Sequence, residues 1–265
     1  MDRLKIALCQ YDIAWEDARA TLARIEGPVR NFCERHRPDL LVFPETFSVG
    51  FTMNPSAAEP EDGPSTQWLR RMASSCRTAV VASVPTLDGV RRFNRCRFIA
   101  PDGREWRYDK RHLFTPSGEN GAYVPGDRRC TVDYLGWKIE LNVCYDLRFP
   151  VWSRNEDERY DLLLNIANWP ESRIGHARAL LKARAIENAA YAAFCNRTGD
   201  DAFCHYNGRS AIMDYVGDSI AHSIGIGGLR FFSATLELGP MRYYRQHFPT
   251  LDDSDSYKIM NVNQS

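Results

Sequence analysis

The chain has 265 residues, of which 44% are hydrophobic, 12% aromatic and 26% charged, a globular composition that excludes disordered, collagen-like and coiled-coil chemistry. Lys plus Arg equal Asp plus Glu at 34 each, so there is no basic excess to follow a phosphate backbone, and nucleic acid is not an expected partner. No apolar run reaches the roughly 18 residues that span a bilayer, and eight scattered cysteines read as thiols of a reducing, cytoplasmic compartment rather than a disulfide framework.

The N-terminal Leu4 to Cys9 is too short and too charged in its flanks for a secretory core and reads as a first strand. A helix is predicted from about Asp17 to Arg35, because Leu22, Ile25, Val29 and Phe32 recur at spacings of three and four. A buried strand, Leu40 to Phe43, ends at Pro44-Glu45, and Pro64 opens a second helix through Trp68, Leu69 and Met72. Strands follow at Ala79 to Val84 and Arg95 to Ala100, then the turn Pro101-Asp102-Gly103-Arg104 and a strand from Glu105 to Tyr108. The basic cluster from Arg91-Arg92 through Arg104-Arg107 is expected to form a solvated strand face.

Further strands are predicted at Cys130 to Tyr134, Trp137 to Val143 and Asp161 to Ile166, then a helix from about Ile174 to Ala190, rich in strong helix formers. The last strands fall at Tyr191 to Asn196, Arg209 to Asp214, Ser219 to Ile224 and Leu229 to Leu238, with a short helix near Met241 to His247. Gly225, Gly227 and Gly228 do not complete a phosphate-loop pattern and read as a turn. Two helix-covered sheets stacked face to face accommodate so many strands without long exposed edges. No seam divides residues 1–250, which are read as one domain, with 251–265 as a polar tail able to pack at an oligomer interface.

Three segments combine a reactive side chain with a strand end. In Phe43-Pro44-Glu45-Thr46-Phe47 a carboxylate follows an apolar run, where partial desolvation suits it to proton transfer. In Tyr108-Asp109-Lys110-Arg111-His112-Leu113-Phe114 a lysine among aromatics can present a fixed ammonium to an oxyanion. In Val143-Cys144-Tyr145-Asp146-Leu147-Arg148-Phe149-Pro150 a strand runs into a cysteine whose following residues can turn into a helix, exposing the thiol and aiming N–H groups at it. Read singly, each has a plainer explanation: a capping glutamate, a lysine that snorkels from a strand end, and a small buried cysteine. A zinc site from Cys195, Cys204, His205 and His176 lacks structural-zinc spacing, and no Gly-x-Ser-x-Gly is present for a serine hydrolase.

Taken together and in this order, the three motifs resemble the Glu-Lys-Cys triad of the nitrilase-like carbon-nitrogen hydrolase superfamily, and particularly its omega-amidase branch. The likeness continues through Asn165-Ile166-Ala167-Asn168-Trp169-Pro170 and Ala183-Arg184-Ala185-Ile186-Glu187-Asn188. The resemblance implies an α/β fold, an α-β-β-α sandwich of two mixed sheets flanked by helices, which pairs as a homodimer or larger assembly and needs no metal or organic cofactor. It implies Cys144 as nucleophile, Glu45 as general base and acid, and Lys110 with the backbone N–H of Tyr145 as oxyanion hole. Glu119 falls where the family has a second glutamate that orients the lysine.

For substrate binding the resemblance suggests Arg148 as a grip on a carboxylate, for which its planar fork is suited; the alternative is an internal ion pair with Asp146. Asn168 belongs to the same expected set, and Phe47, Phe51 and Trp169 are candidate pocket walls. The implied activity is hydrolysis of the terminal amide of a 2-oxo dicarboxylic acid monoamide, 2-oxoglutaramate or 2-oxosuccinamate, with release of ammonia through a thioester. A nitrilase or N-carbamoyl amino acid hydrolase would use the same triad, and a binding protein on the same scaffold would keep the fold without turnover.

Overall fold

The computed structural model describes residues 2–259. The chain runs β1 (Arg3–Gln10), α1 (Ala18–His36), β2 (Leu40–Val42), β3 (Glu59–Pro60), α2 (Pro64–Cys76), β4 (Ala79–Asp88), β5 (Arg91–Ile99), β6 (Glu105–Asp109) and α3 (Glu119–Ala122). It continues with β7 (Thr131–Tyr134), β8 (Trp137–Val143), β9 (Leu162–Ile166), α4 (Ile174–Glu187) and β10 (Tyr191–Cys195). The last elements are β11 (Thr198–Asp200), β12 (His205–Asn207), β13 (Ala211–Met213), β14 (His222–Ile226), β15 (Leu229–Glu237) and α5 (Leu238–His247).

One sheet has the order β14-β15-β1-β2-β4-β5-β6, with β3 beside β4; the other has the order β13-β10-β9-β8-β7. Both are mixed: β1, β2 and β4 run parallel, as do β8, β9 and β10, and antiparallel strands flank each group. Strand alternation sorts the side chains. Leu4, Ile6 and Leu8 of β1 face a core shared with Ile139, Leu141 and Val143 of the second sheet, while Ala7 and Cys9 face Ile25, Val29 and Phe32 of α1 and Trp68 and Met72 of α2. On the far side, Ala177, Leu181 and Ala185 of α4 cover the second sheet, which completes an α-β-β-α sandwich.

Local signals set the element ends. Asp17 caps α1 by accepting from Ala20 N–H at 2.9 Å, and Pro64 opens α2. Gly227 and Gly228 both have positive φ in the two-residue turn between β14 and β15, a conformation open to glycine. The segment after Cys144 does turn into a helix, a five-residue 3-10 one over Cys144–Arg148. Two expectations are corrected. The helix from Ile174 stops at Glu187, because Ala189 turns to φ +44° and Asn188 donates back to the Arg184 carbonyl. The strand predicted from Ser219 begins at His222, after the Gly217 turn.

The expected solvated arginine face is realised only in part: Arg91, Arg104 and Arg107 are exposed, but Arg95 and Arg97 are buried. Arg97 is fully buried and pairs with Glu105 and Glu61 at 2.5 and 3.0 Å, Arg95 pairs with Asp109 and Glu61, and Arg107 pairs with Glu61 at 2.6 Å. The acidic partners at 61, 105 and 109 lie on neighbouring segments, which composition along β5 alone does not reveal. From the tail, Tyr257 donates to the Val151 carbonyl at 2.8 Å, and 260–265 lie outside the described residues. Among the described residues no helix is long and apolar enough to cross a membrane.

Candidate active site

Glu45 follows the end of β2, Lys110 the end of β6, Cys144 the end of β8 and Asn168 the end of β9, so the candidate residues gather at the carboxyl ends of the parallel strands β2, β8 and β9 and of the edge strand β6. The turn after β2 is fastened to β4 by Phe43 N–H to the Val81 carbonyl, 2.8 Å, and by Thr46 N–H to Ser83 Oγ, 2.7 Å. Thr46 at φ +45° and Cys144 at φ +50° both lie in the left-handed region, which is uncommon for such side chains and marks strained turns at the two key positions.

Glu45 and Glu119 are fully buried and Lys110 is 1% exposed. The Lys110 ammonium donates to Glu45 Oε1 at 2.9 Å and to both oxygens of Glu119 at 3.0 and 2.8 Å. Burial pulls against the charge of Lys110, but the Glu119 and Glu45 carboxylates outweigh it and hold its pKa well above the ordinary lysine range. Such charges persist in the interior only because each is paired and hydrogen-bonded. Glu45 Oε2 also accepts from Asn168 N–H at 3.0 Å, and Glu119 Oε2 from Phe114 N–H at 2.5 Å.

The sequence reading missed Asn94. This β5 residue is 1% exposed; its side-chain amide donates to Glu45 Oε1 at 2.8 Å and Glu119 Oε1 at 3.3 Å, and its carbonyl accepts Lys110 N–H at 3.0 Å. Nothing along β5, Arg-Arg-Phe-Asn-Arg-Cys-Arg-Phe-Ile, sets this asparagine apart from the other polar residues of the strand, so local sequence offered no signal for it. Asp146 was missed in this role too. Its buried carboxylate accepts from Tyr108 OH (2.7 Å), His112 N–H (2.9 Å) and Val143 N–H (3.0 Å), which ties the segment carrying Lys110 to the turn carrying Cys144. From α4, Arg184 donates to the Leu147 carbonyl at 2.8 Å and holds the far end of that turn.

Cys144 is 8% exposed and lies on the wall of a cavity of about 570 Å³. Burial and the Glu45 carboxylate push its thiol well above the usual range, with Lys110 and the Asn168 N–H pulling the other way. Tyr145 lies in the first turn after Cys144, where backbone donors lack partners within the helix. Phe51, Tyr145, Arg148, Asn168 and Trp169 line the same cavity. Phe51 also covers the ammonium of Lys110, 5.1 Å from its ring centre.

Phe47 does not line the cavity. It is fully buried against Phe43 and Trp68 on the helix side of the first sheet, so its expected place as a pocket wall is corrected: the Thr46 turn sends it inward. Asn168 reaches the cavity, but its side-chain amide donates to the Glu45 carbonyl at 2.8 Å and to Thr46 Oγ1 at 3.0 Å, making it a brace for the acid. Arg148 makes no ion pair with Asp146, whose oxygens are occupied as described; it lies over Trp169 at 4.8 Å and meets His176 Nδ1 at 3.2 Å. Of the residues weighed for zinc, Cys195 is buried in β10 with its thiol on the Val42 carbonyl.

The geometry thus sets a thiol on the cavity wall, with the two carboxylates and the ammonium of the Glu45–Lys110–Glu119 cluster buried beside it. Residues 5–244 match the family model described as Carbon-nitrogen hydrolase. The chain is 41% identical over 263 residues to Omega-amidase YafV of Yersinia enterocolitica, covering 98% of this chain and 100% of that one. It is 30% identical to 2-oxoglutaramate amidase of Bacillus subtilis, covering 94% and 96%. Among solved structures, a CN-hydrolase superfamily protein of Xanthomonas campestris with an arsenic adduct in its active site superposes with a TM-score of 0.90 at 35% identity, covering 98% and 100%. The chain therefore belongs to the carbon-nitrogen hydrolase family, the nitrilase superfamily, and is a hydrolase of carbon–nitrogen amide bonds.

Proposed function

We propose that the protein is an omega-amidase that removes ammonia from the terminal amide of a short 2-oxo dicarboxylic acid monoamide, 2-oxoglutaramate or 2-oxosuccinamate. The observation that carries the chemistry is the buried Glu45–Lys110–Glu119 cluster beside Cys144. Because its surroundings keep the resting thiol protonated, attack on an amide carbonyl requires a base, and Glu45 is the carboxylate that acts on it. The proton leaves sulfur for Glu45 as the C–S bond forms. At rest the three N–H donors of Lys110 face three carboxylate oxygens; proton uptake by Glu45 weakens its hold on the ammonium and frees one donor for the oxyanion, with Tyr145 N–H as its companion.

Glu45 then gives the proton to nitrogen, the C–N bond breaks and ammonia departs, leaving a thioester. Water activated by Glu45 cleaves that thioester and restores the thiol, while Glu119 holds Lys110 in place. Arg148 grips the substrate carboxylate. The names of the relatives, omega-amidase and 2-oxoglutaramate amidase, support this choice of substrate. Eight unpaired thiols fit a reducing, cytoplasmic setting, and the exposed Ile186, Tyr243 and Phe248 on and just after α4 and α5 fit a homo-oligomer.

Ammonia release from 2-oxo acid amides, simple nitriles and carbamoyl amino acids tests the reading. The acid amides are expected to be turned over fastest, and a preference for nitriles or carbamoyl compounds would overturn it. Cys144→Ala is expected to abolish turnover with an unchanged circular dichroism spectrum; residual activity near wild type would remove Cys144 as nucleophile.

A further inference from the structure

A second cation shares the cavity with Arg148. Arg173 ends the short turn Glu171–Arg173 that leads into α4, and its guanidinium lies 5.2 Å from the centre of the Phe114 ring, much as that of Arg148 lies over Trp169. Both arginines, both rings and Cys144 line the one cavity. Ion pairs among the described residues engage the nearby Arg129 with Glu156 and Arg184 with Glu187, but neither Arg148 nor Arg173.

The carboxylates that also line the cavity are held by neutral donors and pair with neither arginine. Glu16 accepts from Thr52 Oγ1 and from Asn54 Nδ2 at 3.0 Å. Asp201 accepts from the N–H groups of Phe203 and Cys204 at 2.8 Å and from Tyr206 OH at 2.7 Å. Two permanent cations therefore stand half-buried on aromatic faces with no carboxylate of the described residues within ion-pair distance, an arrangement that leaves their donors open to an anionic ligand. A guanidinium lying over a ring keeps its N–H donors in its own plane, where they can take a pair of oxygens.

We propose that Arg173 is a specificity-determining residue which, with Arg148, forms a two-guanidinium subsite for the acid end of the substrate. One fork takes the carboxylate, and the second has use for a further oxygen acceptor beside it. A 2-oxo acid supplies that oxygen on the adjacent carbon, so the subsite selects 2-oxo acid amides over plain acid amides. This inference rests on the amidase reading above.

The test compares kcat/KM for 2-oxoglutaramate, glutaramate and the neutral pentanamide in the wild-type protein, Arg173→Ala, Arg173→Gln and Arg173→Lys. Loss of the guanidinium is expected to lower the preference for 2-oxoglutaramate over pentanamide by about tenfold or more, through KM, with Lys restoring part of it. A thermal melt accompanies each variant, and Arg173→Gln, which keeps a polar stem at the site, carries the comparison should the alanine variant melt early. An equal loss on acid and neutral amides would make Arg173 structural and overturn the proposal. If the wild-type protein itself shows no preference for acid amides, the amidase reading fails as well; a wild-type preference that the variants leave unchanged sinks Arg173 alone.

Discussion

At the residue scale, the reactivity of Cys144 is a property of its surroundings. Its thiol is raised by burial and by Glu45, so in the proposed reaction the acid that hinders its ionisation at rest is also the one that takes its proton during attack. Asn94 ties that acid and Glu119 together around one ammonium, because its amide bonds both carboxylates and its carbonyl bonds the Lys110 backbone. Asn94→Ala is expected to lower kcat by about 10- to 100-fold through misplacement of Glu45, with KM little changed, since Asn94 does not line the cavity. Steady-state kinetics on 2-oxoglutaramate check this, and a KM effect with unchanged kcat would assign Asn94 to binding.

At the element scale, strand ends do the placing and a single buried carboxylate joins two of them. Asp146 couples the 3-10 turn after β8 to the segment after β6 through three donors within 3.0 Å. Asp146→Ala leaves those donors without a partner and is expected to cost about 3 kcal/mol of stability, together with most of the activity. Urea unfolding measures the first and ammonia release the second. Full stability in this variant would show that the turn is held from α4, where Arg184 bonds the Leu147 carbonyl.

At the scale of the whole molecule, burial between and outside two sheets sets the alkaline behaviour. The thiols of Cys9, Cys96, Cys144 and Cys195 and the phenols of Tyr11, Tyr108 and Tyr160 are all pushed well above their ordinary ranges, chiefly by desolvation. In the unfolded chain such groups ionise near about 8.5 and about 10, while the folded chain keeps its protons. The folded state therefore binds more protons in that window, so this stability is complete at neutral pH and is lost as pH rises. Each group costs up to about 1.4 kcal/mol per pH unit above its unfolded value. Urea midpoints are expected to fall steadily from roughly pH 8.5 to roughly pH 10.5; a level midpoint would mean that these groups ionise without unfolding.

Periodicity and end signals were enough to locate most elements, because the alternation along β1 and the spacing in α1 record which side of each is buried. The ordered motifs around Glu45, Lys110 and Cys144 likewise carried the family. What the linear chain does not record is which side chains meet across it. The inward turn of Phe47, the salt-bridged burial of Arg97, the bridging amide of Asn94 and the second guanidinium of Arg173 each depend on partners supplied by other segments. Local sequence fixes a residue's own backbone preference and apolar face, whereas the dielectric, the partners and the room around it exist only once the sheets and their connecting turns have closed together.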